Sequence, residues 1–589
     1  MKVEIEARLN VFCDELKAAG DLAEDWAGTP RLSVPKQREH GDFATNLALM
    51  LAKPTGKSPR ELAEQLVAFF ADDMRIEKVE VAGPGFVNFF IKAGAAFALI
   101  DEILEKRSAF GQSQIGAGQR VLLEYVSANP TGPLHVGHGR GAAYGSVLAN
   151  LLSSAGYEVE SEYYVNDAGR QMHILAASVW VRYLELANPG QAPDFPAAGY
   201  RSEDYIITIA RQLFEQHGAS LVADLAEIQT GLPADAPKGD ADGFVDALIA
   251  RMQQLLGSER YQLVFQAALD FILNDIRDDL NGFGVRFDHW YSEQSLADSG
   301  KVEAAIERLD KAGHLYQKDG ALWFESTAFG DDKDRVVRRE NGQTTYFASD
   351  IAYHLDKFER GYDLLLDLWG ADHHGYVARV KAAMTALGQP ADRLSVSLVQ
   401  FAILYRGQER LSMSTRSGSF VTLRQLREEV GSDAARFFYV TRAASQHLDF
   451  DLKLATSQSN ENPLYYIQYA HARIHSVFRQ LPLRGFEHDV EQGRAAYERL
   501  TEPHEQDLFK RLSGYPALIE RAAQAREPHQ LVHYLRDLAQ DFHSYYNAHA
   551  FLLKDDPALR NARLNLIDAT RQVLENGLVI LGVSAPKEM

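Results

Sequence analysis

The residue pattern with the clearest chemical use is His135-Val136-Gly137-His138, which lies between an apolar segment and a helical one. Residues 121–126 predict a strand, the Gly- and Pro-rich residues 129–133 predict a turn, and residues 142–152 predict a helix. A helix N-terminus offers free N–H groups and a positive dipole end, which favour a bound anion. The two histidines can share one face and donate to phosphoryl oxygens, while Gly137 lets a nucleotide approach the backbone. The motif therefore predicts a phosphate-handling site; the alternative is a pair of structural histidines at a helix start.

Three further segments place polar side chains where a ligand could bind. The first is residues 346–350; the second is residues 368–375, which lie at the C-terminal end of a predicted strand, where open α/β sheets bind ligands. A zinc site at His373-His374 is disfavoured, because adjacent residues do not readily share one metal and no cysteine is near. Residues 410–419 are rich in hydroxyls and arginines and could fold over a triphosphate. The alternatives are ordinary loop histidines and a solvated linker.

Composition limits the class of protein. At 589 residues the chain should contain several domains. Cys13 is its single cysteine, which rules out an internal disulfide and fits a reducing compartment. The formal net charge of −20 argues against a non-specific nucleic-acid binder. No apolar run is long enough for a transmembrane helix, and the first 20 residues do not resemble a signal peptide.

The periodicity divides the chain into three regions. Residues 1–110 predict an α+β unit, with a helix at 61–70 and a strand–turn–strand at 79–90. Residues 111–425 alternate strands and helices, which is typical of a parallel sheet with crossover helices. The predicted strands are 121–126, 159–165, 363–369 and 395–404; a helical insertion covers about 168–280, and Asn341-Gly342 marks a hairpin. Residues 426–589 predict helix after helix.

These motifs together resemble the class I aminoacyl-tRNA synthetases and, within that class, the bacterial type of arginyl-tRNA synthetase. The resemblance runs almost from end to end. Its motifs are residues 41–46, 82–86, 124–138, 164–169, 346–350, 369–376, 433–436 and 459–463. Each motif is weak alone, but their order and spacing are specific.

The resemblance implies a fold and a reaction. It implies a Rossmann-like α/β catalytic domain with a helical insertion, an N-terminal α+β domain that contacts tRNA, and an all-α anticodon-binding domain. L-arginine and ATP with Mg²⁺ would give arginyl-adenylate and pyrophosphate, and the arginyl group would pass to the 3′-terminal ribose of tRNA(Arg). It implies that bound tRNA is needed for activation. We also expect a cytoplasmic monomer with no protein-bound metal and no membrane association.

The resemblance assigns roles to individual residues. Carboxylates read a planar guanidinium through paired hydrogen bonds, and this role falls to Asp350, supported by Tyr346 and Glu124. The amino and carboxylate end of arginine falls to Ser127, Asn129 and His373. ATP would be bound by His135, Gly137, His138, Asp372 and Met413, with Ser414 and Arg416 joining the two histidines in catalysis. Aromatic residues within 465–473 and 543–547 could stack on anticodon bases, although core packing is the commoner role of such residues.

One segment departs from the family pattern. The usual Lys-Met-Ser-Lys-Ser loop is here Ser412-Met413-Ser414-Thr415-Arg416, so both lysines are missing. Some arginyl enzymes place a compensating lysine three residues before the first motif histidine, but that residue here is Gly132. We therefore expect Arg416 to supply the charge, with Arg410 as the alternative, because guanidinium binds phosphate in a bidentate way.

Three other functions are compatible with parts of the pattern. A small nucleotidyltransferase could use the histidine motif alone, but such enzymes are much shorter. A class I synthetase for another amino acid is disfavoured by residues 346–350 and 369–376. A non-catalytic tRNA-binding paralogue is suggested by the altered loop, although His135, His138 and Asp350 are all present.

Overall fold

The computed structural model describes residues 2–35, 37–73, 76–91, 93–190, 192–200, 203–407, 409–411 and 421–589. The N-terminal region is an antiparallel sheet in the order β1-β3-β2 with helices packed around it. The predicted helix begins at Pro59 behind the N-cap Ser58, whose side chain accepts from the backbone N of Glu61, and it buries Leu62 and Leu66. The elements of the N-terminal region are α1 (Lys2–Ala18), β1 (Phe43–Thr45), α2 (Leu47–Thr55), α3 (Pro59–Phe69), β2 (Ile76–Ala82), β3 (Phe86–Ile91) and α4 (Ala93–Lys106).

A five-stranded parallel sheet lies at the centre of the molecule. Its strands are β4 (Arg120–Tyr125), β5 (Glu158–Val165), β6 (His289–Ser292), β10 (Leu364–Gly370) and β11 (Leu394–Val399), in the order β11-β10-β4-β5-β6. From β4 the chain continues to β5 and β6 on one side of the sheet, and from β10 it continues to β11 on the other side. The carboxyl ends of these two neighbouring strands therefore form the crevice where open α/β sheets bind ligands.

The sheet confirms most of the predicted strands. Those at 121–126, 159–165 and 363–369 correspond to β4, β5 and β10 within one residue at each end. The strand β6 was not predicted, because four partly buried residues give little periodicity. The single strand predicted at 395–404 is wrong, since the chain there forms two strands in different sheets, β11 and β12 (Ala402–Arg406). Strand-forming apolar residues lie on both sides of that break, so the pattern does not reveal it.

The insertion after β5 is helical. It consists of α6 (Arg170–Ala187), α7 (Glu203–His217), α8 (Leu225–Gln229) and α9 (Ala241–Gly282), and α9 bends at Gly257, whose φ is 70°. After β6 follow α10 (Glu293–Asp298), α11 (Lys301–Lys311) and the antiparallel strands β7 (Leu315–Lys318), β8 (Ala321–Phe324) and β9 (Arg335–Arg338). The predicted hairpin turn at Asn341-Gly342 is confirmed, with Arg338 bridged to Thr344.

Two helices carry site residues along the central sheet. They are α5 (Val136–Ser154), which follows the histidine motif, and α12 (Tyr346–Glu359), which precedes β10. α13 (His374–Ala386) follows β10. The α12 N-terminus is tied to β9, because Thr345 donates from its backbone N to the Val337 carbonyl at 3.0 Å.

Helices dominate the C-terminal region. They are α14 (Leu423–Val430), α15 (Ser432–Tyr439), α16 (Leu452–Thr456), α17 (Pro463–Leu483), α18 (Val490–Arg494), α19 (Pro503–Ser513), α20 (Tyr515–Ala525), α21 (His529–Ala548) and α22 (Pro557–Leu581). The helical pattern predicted from residue 426 is interrupted once, by β14 (Leu448–Asp451). That strand pairs in parallel with β12, whose other neighbour is β13 (Glu409–Arg410).

Candidate active site

The two motif histidines cap α5 and stack on each other. His135 is the N-cap; its Nδ1 accepts from the backbone N of Gly137 at 3.0 Å, and Nδ1 of His138 accepts from the backbone N of His135 at 3.3 Å. The ring centroids are 3.7 Å apart. Because Nδ1 is an acceptor in both neutral rings, the proton of each ring belongs on Nε2. The local backbone therefore sets the tautomer that can donate to a phosphate oxygen.

Burial keeps both imidazoles neutral at physiological pH. It lowers the pKa of His135, and it lowers the pKa of His138 to about 3, helped by the nearby His135 ring. The pair can therefore donate hydrogen bonds from neutral N–H groups but carries no permanent positive charge.

Gly137 fits closely beneath the first histidine ring. A Cβ at this position would lie 2.7 Å from Cε1 and 2.8 Å from Nδ1 of His135, and 3.8 Å from Cδ1 of Phe401. Phe401 is 44% exposed, so an aromatic face is available beside the motif. A side chain at position 137 would displace the histidine ring, which explains why glycine is needed here.

The chain returns to this motif after residues 412–420. Thr422 pairs with His135 in an antiparallel bridge, Val136 donates from its backbone N to the Val421 carbonyl at 3.1 Å, and Leu423 donates to the Leu134 carbonyl at 2.8 Å. Met413, Ser414 and Arg416 lie outside the described residues. Residues 421–423, which follow that segment, lie directly beside the histidine pair.

The turn after β4 has an unusual backbone. Val126 and Ser127 have φ values of 71° and 43°, a region that β-branched residues such as valine rarely adopt. Ser127 Oγ donates to Oε1 of Glu124 at 2.9 Å and accepts from the backbone N of Tyr164 at 3.1 Å. The serine side chain thus joins β4 to β5 and holds the turn.

Asp350 lies on α12 and faces the same crevice. Burial raises its pKa, while a hydrogen bond from the Tyr376 hydroxyl to Oδ2 opposes that rise. The charge of Glu124 also raises the pKa of Asp350, whereas His373 lowers it. The structure therefore brings three of the predicted arginine-binding residues into one electrostatic neighbourhood.

Sequence reasoning missed a further carboxylate at this site, in addition to Asp350 and Glu124. Glu293, the first residue of α10, is 5% exposed, and burial together with Asp350 and Asp167 raises its pKa to about 7. The Ser349 and Tyr164 side chains lie near the carboxylate and partly oppose this rise, but its buried Oε2 atom accepts no hydrogen bond of normal geometry from the described residues. A buried carboxylate oxygen without a donor is costly, so this oxygen fits a cationic ligand. No sequence motif surrounds Glu293; its role arises from where β6 ends.

The remaining predicted residues lie around the crevice. Tyr346 is 53% exposed, and its hydroxyl lies at Gly169 before α6, 2.7 Å from where a Cβ would stand. Asn129 donates to Gln171 Oε1 at 2.9 Å. The side chains of Asp372 and His373 are 64% and 58% exposed, after the end of β10. These four groups are open to a ligand, in contrast to the buried Glu124 and Glu293.

Among the described residues, the His, Cys, Asp and Glu side chains form no group of three that could hold a metal ion. Within the same ranges, every helix is too short or too polar to span a bilayer.

Three family models match the chain. The model for the class I (R) tRNA synthetase catalytic domain matches residues 99–188 and 256–442. The model for the arginyl-tRNA synthetase N-terminal domain matches residues 7–91, and that for the DALR anticodon-binding domain matches residues 467–589.

Curated relatives match over the full length. An arginine–tRNA ligase of Thioalkalivibrio sulfidiphilus is 59% identical over 590 residues, covering 100% of both chains. One of Halorhodospira halophila is 56% identical over 591 residues, again covering 100% of both. The solved structure of Thermus thermophilus arginyl-tRNA synthetase has the same fold, with a TM-score of 0.74 at 22% identity and 100% coverage of both chains.

Proposed function

This chain belongs to the arginyl-tRNA synthetase family, and from that premise we propose which of its residues carry out each part of the reaction. As a member of the family it is an arginine–tRNA ligase that consumes ATP and charges tRNA(Arg) with L-arginine. The residue assignments below, the dependence of activation on tRNA, and the domain boundaries at 110 and 425 are proposals.

The guanidinium of arginine binds between Asp350 and Glu293. The observation that carries this assignment is the buried Oε2 of Glu293, which lacks a hydrogen bond of normal geometry and lies near the partly buried carboxylate of Asp350. A planar cation with five N–H donors can bridge two carboxylates, and its arrival would favour their ionised forms. Tyr346 closes the open side of this pocket, and Glu124, whose oxygens are bonded to Lys357, Tyr353 and Ser127, forms its floor. Lysine would leave acceptors unpaired, so selectivity does not require editing.

The reacting end of arginine lies toward the strained turn. Ser127, Asn129 and His373 lie at the carboxyl ends of β4 and β10, where the amino and carboxylate groups of the substrate would be held. The carboxylate can then attack the α-phosphate of ATP in line, with pyrophosphate as the leaving group.

ATP binds on the α5 side of the crevice. His135 and His138 donate from Nε2 to the phosphoryl oxygens as charge develops, and Gly137 permits the approach of the nucleotide. Asp372 binds the ribose hydroxyls. The family resemblance assigns Met413, Ser414 and Arg416 to ATP as well, and the described residues before and after that segment support this, since Leu411 is bonded to β12 and Thr422 is paired with His135. Mg²⁺ enters as the ATP complex.

The C-terminal helices receive the anticodon. Arg473 lies 4.4 Å from the ring centroid of Tyr469 and 4.5 Å from that of Tyr546, a cation–aromatic cluster on which a base can stack. Tyr545 is fully buried and belongs to the core. The N-terminal domain contacts the tRNA elsewhere, bound tRNA is required for arginine activation, and the enzyme works as a cytoplasmic monomer.

One experiment tests these assignments together. ATP–pyrophosphate exchange is measured with each amino acid, with and without tRNA(Arg). We expect exchange with arginine alone, and only when tRNA is present. The Asp350→Ala variant should lose kcat/KM for arginine by about 10³-fold or more. Unchanged kcat/KM in that variant would show that the guanidinium binds elsewhere, and exchange without tRNA would remove the proposed tRNA dependence.

A further inference from the structure

A row of three buried carboxylates crosses the central sheet below the proposed arginine pocket. Asp367 of β10 pairs with Glu124 of β4, which pairs with Glu162 of β5. Residues in register on adjacent parallel strands lie about 4.8 Å apart and point to the same face. The three side chains are 1%, 6% and 0% exposed, so their charges must be compensated from within the protein.

One face of α12 supplies the compensation. Lys357, which is 0% exposed, donates from Nζ to Oε2 of Glu124 and to Oδ1 of Asp367, the latter at 2.8 Å. Arg360 donates to both carboxylate oxygens of Glu162, at 2.5 and 2.8 Å. The Tyr353 hydroxyl lies between the two groups, 3.0 Å from Oε2 of Glu124 and 2.7 Å from Oε1 of Glu162.

Lys357 and Arg360 differ in the further hydrogen bonds that their partner carboxylates make. Glu124 uses its second oxygen, Oε1, to accept from Ser127 Oγ, and Ser127 holds the left-handed turn that leads to Asn129 and the histidine motif. Glu162 makes no direct contact with the turn, because its oxygens are bonded to Arg360 and Tyr353. Lys357 therefore contacts Glu124, the partner of Ser127, directly, whereas Arg360 is connected to Glu124 only through Glu162 and the Tyr353 hydroxyl.

We propose that Lys357 is a positioning residue for arginine activation, which acts by fixing Glu124 and, through it, the Val126–Ser127 turn. This inference rests on the arginine site proposed above. Without the ammonium group, Glu124 would be a buried carboxylate without its cation, and it would move or take up a proton. Ser127 would then lose the acceptor that orients it toward the amino end of arginine.

A buried ion pair can also do nothing more than stabilise the fold, so the test separates the two roles. Lys357→Met removes the cation, and the double variant Lys357→Met/Asp367→Asn removes one cation and one carboxylate from the row together. The matched control is Arg360→Met, which removes the other cation of the row from the same helix. Thermal unfolding and tRNA-dependent ATP–pyrophosphate exchange are measured for all three variants, with Asp350→Ala and the unmodified protein in parallel.

We expect the double variant to regain much of the unfolding temperature lost in Lys357→Met. Its KM for arginine should still be raised by about tenfold or more, with the KM for ATP within about twofold of the starting value. Arg360→Met should lower the unfolding temperature and leave the KM for arginine within about threefold. An arginine KM in the double variant equal to that of the unmodified protein, or an equal rise in Arg360→Met, would overturn the proposal. Failure of the arginine site itself would appear separately, as an unaffected Asp350→Ala.

Discussion

The Tyr376 hydroxyl donates a hydrogen bond to Oδ2 of Asp350, so one carboxylate oxygen is already oriented before any substrate arrives. The Arg379 guanidinium lies 4.5 Å from the Tyr376 ring centroid, in cation–π contact with the ring. The bond matters because burial raises the pKa of Asp350, and the tyrosine is the group that most opposes this rise. Tyr376 therefore helps to keep Asp350 ionised for a cationic substrate.

Tyr376→Phe should make arginine activation more sensitive to acid. At the proposed site the guanidinium binds the ionised form of Asp350. Binding is therefore lost as the pH falls through the pKa of Asp350 and the carboxylate takes up a proton. Losing the bond raises this pKa further, so the acid limb of the kcat/KM profile for arginine should move up by about one pH unit. Tyr316→Phe is the control, because it removes a similar hydrogen bond away from the site. In that bond the hydroxyl of Tyr316, on β7, donates to Oδ2 of Asp334 at 2.9 Å. Coincident profiles for the two variants would contradict this role.

Gly137→Ala should damage the ATP half-site. The new Cβ would overlap the His135 ring, which must then move from the position that aims Nε2 at the phosphate. We expect kcat for pyrophosphate exchange to fall by about 10²-fold or more, as for loss of one oriented donor. Gly141→Ala on the same helix has no atom within 4 Å of its Cβ. That control should keep full activity and raise the unfolding temperature slightly, since alanine favours a helix interior over glycine by about 1 kcal/mol.

Glu293→Gln should weaken arginine binding and, at high pH, stabilise the folded protein. The pKa of Glu293 is raised to about 7, so the folded state binds its proton more tightly than the unfolded state does, and stability falls as the pH rises from 4.5 to 7. The neutral glutamine removes this loss. Thermal unfolding at pH 8 should therefore occur at a higher temperature in the variant than in the unmodified protein, with little difference at pH 5. At the same time the KM for arginine should rise; a more stable variant with an unchanged KM would remove Glu293 from the guanidinium site.

Arg436→Met should weaken the junction between the catalytic and C-terminal regions. Arg436 is 2% exposed, and it donates to the Phe283 carbonyl at 2.9 Å, the Gly284 carbonyl at 3.1 Å and the Leu581 carbonyl at 3.4 Å. Its removal leaves buried carbonyls at the ends of α9 and α22 without a charged donor. We expect the free energy of unfolding to fall by about 3 to 5 kcal/mol, measured by denaturant titration. The exposed Arg484→Met should change it by less than about 0.5 kcal/mol.

Features encoded within a short stretch of chain were predictable. The motif at His135 combines a buried strand, a turn and a helix start, and each of these has its own sequence signal. The same holds for α3 with its Ser58 cap and for the turn at Asn341-Gly342. The family resemblance then added the reaction and the placement of Asp350, because ordered motifs hold information that no single segment contains.

Features that depend on neighbouring strands were not predictable. Glu293 and Lys357 look in sequence like ordinary charged helical residues, and nothing local indicates that both are buried. Glu124 was expected to face the guanidinium, but its oxygens are bonded to Lys357, Tyr353 and Ser127. Only the register of β4, β5 and β10 places these groups together.

The sequence by itself determined the family and the fold class, because those properties reside in local patterns and in their order along the chain. The tertiary structure alone decided the protonation of the site. The tautomers of His135 and His138 follow from backbone donors, and the raised pKa of Glu293 follows from burial beside Asp350 and Asp167. Desolvation and charge–charge interaction depend on distances across the fold, and residues far apart in the chain set those distances.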